Sequence, residues 1–110
     1  MTHSIIRTGQ TLFLMLALAF CVSAPLHADD AAATFKAKCA GCHGPDGKGG
    51  TPAGKAVGVH DFSSPEVQKM SDADLAGIIS MGKNKMPAYG KSLKAEQIAG
   101  LVAYIRTLKK

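Results

Sequence analysis

The sequence contains no Trp, only two Tyr and no Arg-rich block. It therefore lacks the aromatic and guanidinium surface with which proteins stack on bases and grip phosphates, and no nucleic-acid partner is expected. No segment alternates apolar and polar residues, so no β-strand is expected, and no internal repeat indicates a solenoid. The apolar run Leu12–Val22 falls short of the ~20 residues needed to cross a bilayer. The Gly-rich stretch 44–59 lacks the G-x-x-x-x-G-K-[ST] spacing and the leading strand of a phosphate-binding loop. Cysteine is scarce, at three residues, and acidic residues are outnumbered, 8 against 13 basic, for a net charge of +5.

What is present begins with an export pattern. Arg7 follows a polar start, the apolar run comes next, and Leu26-His27-Ala28 has the small-residue character of a cleavage site. Residues 1–28 are expected to be a cleaved secretory signal peptide and residues 29–110 one domain; a buried core helix or an uncleaved anchor is the rival reading. Cys21 follows Phe20, not a small residue, so it does not read as a lipoprotein site and leaves with the leader. Loss of Arg7 lowers the net charge from +5 to about +4 for a chain of roughly 82 residues, a length marginal for a purely protein core. Exported thiols meet an oxidising space in which adjacent cysteines pair unless something consumes them. A basic surface of this kind points to an acidic protein partner.

The two remaining cysteines stand in Cys39-Ala40-Gly41-Cys42-His43, a C-x-x-C-H run. That spacing is the haem c attachment signature. Each thiol adds to one vinyl group of the porphyrin, and the adjacent imidazole is then held beneath the iron as proximal ligand. A thioredoxin-like dithiol would sit at a helix start after a strand, and nothing strand-like precedes Cys39. Zinc needs four ligands, and downstream only His43 and His60 are on offer; a chance match is the third alternative. A second axial ligand is expected from Met86, in Lys85-Met86-Pro87-Ala88-Tyr89-Gly90, because Met with His raises the potential and suits electron transfer. Met70 and Met81 read as packing residues. His60, beside Asp61 and Phe62 in a loop, is the weaker ligand.

Helices are expected in four places. Asp29 or Asp30 caps an Ala-rich helix from Ala31 to about Lys38. Ser64-Pro65 opens a short helix to about Met70, and Ser71-Asp72-Ala73-Asp74 opens another with Leu75, Ile78 and Ile79 inward, ending at Gly82. The last runs from about Ala95 to Leu108, with Ile98, Leu101, Val102, Ile105 and Leu108 on one face. Gly44 to Val59 reads as loop.

The haem motif, Met86-Pro87 and the terminal Leu101-Val102-Ala103-Tyr104-Ile105-Arg106 together resemble the small monohaem class I c-type cytochromes (cytochrome c family) over the whole chain after the leader. The resemblance implies an all-α, cytochrome c-like fold, three to four short helices wrapped around one covalently bound haem c. It implies Cys39 and Cys42 as the covalent sites, and His43 and Met86 as axial iron ligands. It pairs Phe35 with Leu101 and Tyr104 across two helices. It gives the second ring nitrogen of His43 a backbone carbonyl, for which Pro52 is the candidate, and it expects a Ser or Thr cap where Lys94 stands. The function implied is one-electron transport between redox proteins in the periplasm or another exported space, by a monomer with no enzymatic activity and at most transient membrane contact. Alternatives are a small haem subunit of a dehydrogenase or oxidase, or a gas-binding or peroxidatic haem protein; no distal His, Arg or carboxylate cluster supports the last.

Overall fold

The computed structural model describes residues 28–109. The leader expectation, with Arg7, the run Leu12–Val22 and Cys21, lies outside the described residues except at Ala28. Six helices follow in order: α1 (Ala28–Lys38), α2 (Ala40–His43), α3 (Pro52–Val57), α4 (Pro65–Lys69), α5 (Asp72–Met81) and α6 (Ala95–Thr107). Among the described residues there is no β-strand, so the all-α class holds. Six segments stand in place of the expected three or four because the short α2 and α3 are added to them.

The helices start and stop for local reasons. At α4 the Ser64 hydroxyl accepts from the Val67 N–H at 3.4 Å, with Pro65 leading the first turn. At α5 the Ser71 hydroxyl accepts from the Asp74 N–H at 3.0 Å, and Asp72 and Asp74 place negative charge on the N-terminal dipole. α1 begins earlier than expected: Ala28 is already helical, so Asp29 and Asp30 occupy the first turn instead of capping it. α6 lacks the Ser or Thr cap that the resemblance expects, because Lys94 stands there, but Gln97 reaches back and its Oε1 accepts from the Lys94 N–H at 2.9 Å. That is half of a capping box, and it offsets part of the missing cap.

The segment 44–59 is a correction, because α3 lies inside it. The Thr51 hydroxyl caps it by accepting from the Gly54 N–H at 2.9 Å, Pro52 leads its first turn, and Gly58 closes it in the left-handed region at φ 70°. Six residues are too few to show an apolar period, so only the cap, Pro and Gly punctuation carried the signal.

The core sits where α1 crosses α6. Phe35 and Leu101 are each 1% exposed, and the Phe35 and Tyr104 rings pack 5.2 Å apart at 54°. Ile98, Val102 and Ile105 of α6, Leu75 and Ile79 of α5, Val67 of α4, and Phe62 and Leu93 from the connections complete it. Each such side chain stabilises the fold by about 1.5–3 kcal/mol through burial. Arg106 of α6 ties down the α4–α5 corner: its guanidinium lies 2.9 Å from the Asp72 carboxylate and donates to the Met70 carbonyl at 2.6 Å. Met70 packs partly buried on the core, as expected. Met81 does not: it is 78% exposed, because two residues beyond the buried Ile79 it falls on the opposite face of α5. Among the described residues, no helix is long and apolar enough to cross a membrane.

Candidate functional site

The C-x-x-C-H run lies at a break in the helix. α1 ends at Lys38, Cys39 leaves the helical path at φ −115°, and α2 restarts at Ala40. The N–H groups of Cys42 and His43 both turn back to the Cys39 carbonyl, at 3.2 and 2.9 Å. One turn of chain therefore presents two thiols three residues apart on one side, with the imidazole next to the second. Both cysteines are free; Cys39 is half-buried and Cys42 exposed. Burial pushes the Cys39 thiol up, against the opposing pull of Lys38, so it remains protonated near neutral pH.

His43 is held by an aromatic neighbour. Its ring stacks on Phe62 with centroids 4.8 Å apart and planes at 25°. Phe62 in turn meets Phe35 edge-on at 6.2 Å, which joins the motif to the α1–α6 core. Burial lowers the His43 pKa, which keeps the imidazole neutral with a lone pair to donate. Its Nδ1 is buried and has no hydrogen-bond partner. The Pro52 carbonyl therefore does not fill the role expected of it: Pro52 opens α3, where carbonyls are directed along the helix axis into its own ladder.

Thr51 and Gly54 pin the backbone of the motif. The Thr51 hydroxyl lies within hydrogen-bond reach of the Gly41 and Cys42 carbonyls, at 2.8 and 3.0 Å. A Cβ on Gly54 would overlap the Cys42 carbonyl, so α3 and α2 approach as closely as they do only because that residue is Gly. The Gly49 N–H reaches the His43 carbonyl at 2.7 Å.

Met86 arrives on a loop strapped to the end of α5. Lys83 and Met86 exchange backbone hydrogen bonds at 3.2 and 2.9 Å around Asn84, whose φ of 53° is one that Asn tolerates. The Tyr89 and Gly90 N–H groups then cap the Ile79 and Ser80 carbonyls, each at 2.9 Å. Met86 is half-buried and packs against the same core as Cys39, Ala40 and Tyr89. Tyr89 bridges the two parts of the site: its hydroxyl donates to the Lys38 carbonyl at 3.2 Å. Its pKa is raised by burial and then by the nearby Cys39 and Cys42. His60 stays apart, exposed, with Nδ1 3.4 Å from the Glu66 carboxylate.

The donor set fits a haem c. Two free thiols one turn apart, a neutral imidazole with an orphaned buried nitrogen, and a half-buried thioether on the same core are what covalent attachment and two axial bonds require. Among the described residues, no cluster of three or more His, Cys, Asp or Glu side chains could hold a bare metal ion. Sequence reasoning missed Phe62, Thr51 and Tyr89 as supports. Thr51 was legible as a cap before Pro52; for the stacking of Phe62 and the reach of Tyr89 no local signal exists.

Residues 27–105 match the family model described as cytochrome C oxidase, cbb3-type, subunit III. The chain is 36% identical over 74 residues to cytochrome c6 of Aphanizomenon flos-aquae, covering 67% of this chain and 82% of that one. To cytochrome c6 of Rippkaea orientalis (strain PCC 8801 / RF-1) it is 39% identical over 85 residues, or 74% and 73% of the two chains. The solved structure of the KustC0563 c-type cytochrome superposes with a TM-score of 0.68 at 30% identity, over 73% of this chain and 98% of that one. The c-type cytochrome XoxG from Methylobacterium extorquens AM1 gives a TM-score of 0.57 at 26% identity, over 73% and 48%. With helical fold, attachment run and relatives in agreement, the chain belongs to the class I c-type cytochromes, electron-carrying proteins with covalently bound haem c.

Proposed function

We propose that this protein shuttles single electrons between redox proteins outside the cytoplasm, with haem tethered to Cys39 and Cys42 and its iron held by His43 and Met86. The observation that carries the reading is the convergence of the Met86 loop on the attachment turn, through the 3.2 Å contact of Tyr89 with Lys38 and the shared packing of Met86 and Cys39. When bound, the haem supplies a ferric/ferrous couple that exchanges one electron without substrate chemistry. The protein's part is to hold ligands still. Phe62 fixes the His43 ring and the strapped loop fixes Met86. With His43 and Met86 both holding it, the haem would offer no open site to a substrate, and residues 75–95 contain no His, Arg or carboxylate to assist acid–base steps. That argues against gas binding and peroxidase chemistry.

The same stretch carries Lys83, Lys85, Lys91 and Lys94, all exposed. Positive charge beside the Met86 loop suits an acidic face on donor or acceptor, and encounter would be steered by it. The leader, residues 1–28, would be removed on export, and attachment would follow in the oxidising space. A second reading, service as a haem subunit of a larger oxidase, is favoured by the description of the family model.

Intact mass tests the assignment. Protein exported in a host with haem-attachment machinery is expected to weigh the 29–110 chain plus one haem, with no free thiol. Two titratable thiols and no added mass would sink it.

A further inference from the structure

The ligand loop, residues 82–93, is bonded almost wholly to itself and to α5. Lys83 pairs with Met86, Tyr89 and Gly90 with Ile79 and Ser80, and Ser92 and Leu93 with Tyr89. Among the described residues, one hydrogen bond runs from this loop to the α1–α2 unit that bears the attachment motif: Tyr89 Oη to the Lys38 carbonyl, at 3.2 Å. That acceptor is free for a reason. The Cys42 N–H, which in an unbroken helix would bond to the Lys38 carbonyl, goes to the Cys39 carbonyl instead. The break in the helix at Cys39 thus leaves the Lys38 carbonyl without its helical partner, and Tyr89 satisfies it.

We propose that Tyr89 is a positioning residue, a latch that couples the distal ligand loop to the haem-attachment turn and so holds Met86 at its post. The proposal rests on Met86 being an axial ligand. Its backbone already anchors the loop to α5, three residues from Met86; its ring lies partly buried on the core; its hydroxyl closes the span to the other side. Without the hydroxyl the ring still packs and α5 still caps, but the loop is hinged at one end only. Met86 would leave and return more often, with little change in global stability, because local openings draw on fewer contacts than unfolding does.

The test compares ferric holoproteins: the native chain, Tyr89→Phe, and Arg106→Gln, which loosens the remote clamp on Asp72 and Met70. Three quantities are read: the thioether-to-iron charge-transfer band, the association rate of cyanide, whose entry requires Met86 to leave, and the unfolding midpoint. Tyr89→Phe is expected to keep the band but to raise the cyanide rate about three- to ten-fold, the range that loss of one neutral hydrogen bond allows. Arg106→Gln is expected to lower the midpoint and leave the cyanide rate alone. An unchanged rate in Tyr89→Phe overturns the latch, and so do rates in both variants that simply follow lost stability. Absence of the band from the native protein overturns the Met86 assignment itself, and the latch falls with it, so the two failures are told apart.

Discussion

Two methionines five residues apart show how burial separates roles that chemistry leaves equal. Met81 is 78% exposed, whereas Met86 is half-buried on the core that holds Cys39. Only the second packs on the core beside the attachment turn, which is where a thioether proposed to bind the iron would need to be. Met86→Ala is expected to lower the reduction potential, since thioether ligation favours the ferrous state, and to let cyanide or carbon monoxide bind. Met81→Ala is expected to change neither. Spectroelectrochemical titration of both variants checks this, and a shifted potential in Met81→Ala with none in Met86→Ala would transfer the assignment to Met81.

α2 and α3 are too short to be stable alone, and they hold each other. A helix of fewer than about 12 residues is marginal in water, so the 4-residue α2 and 6-residue α3 depend on the contacts between them. The Thr51 hydroxyl is the centre of those contacts, accepting from Gly54 N–H and lying against the Gly41 and Cys42 carbonyls. Thr51→Val keeps the shape and removes the hydroxyl, leaving a part-buried N–H without a partner. It is expected to cost roughly 1–3 kcal/mol of stability, read as a lower urea midpoint of the holoprotein. Thr51→Ser, which keeps the hydroxyl, is expected to lose far less. Equal losses in the two would mean that the methyl group, not the hydroxyl, matters.

Across the whole molecule, charge is unevenly placed. Between Asp74 and Glu96 there is no carboxylate, and four lysines flank the Met86 loop. Steering by such a patch is screened by salt over a Debye length of about 10 Å at 0.1 M. Electron-transfer rates with an acidic partner are therefore expected to fall as ionic strength rises, and Lys83→Glu with Lys85→Glu is expected to flatten that dependence without moving the potential. Stopped-flow rates across a salt series decide it; equal low-salt rates for both proteins would leave these lysines as solvated surface.

What the sequence determined by itself was whatever depends on near neighbours. The C-x-x-C-H spacing, the Ser64 and Ser71 caps with their following turns, and the apolar stripe Ile98-Leu101-Val102-Ile105 are all read within a few residues, because helix geometry repeats every 3.6. The all-α class follows from them. Tertiary structure alone decided the rest. Phe62 stacks on His43 although 19 positions separate them in the sequence, and Tyr89 reaches a carbonyl 51 residues away. Pro52 does not serve His43, because α3 turns its carbonyl into a helix. Met81, legible only as apolar, faces water. Such pairings depend on how α1, α5 and α6 close around the core, and local pattern carries no record of which distant side chain a closing core brings near.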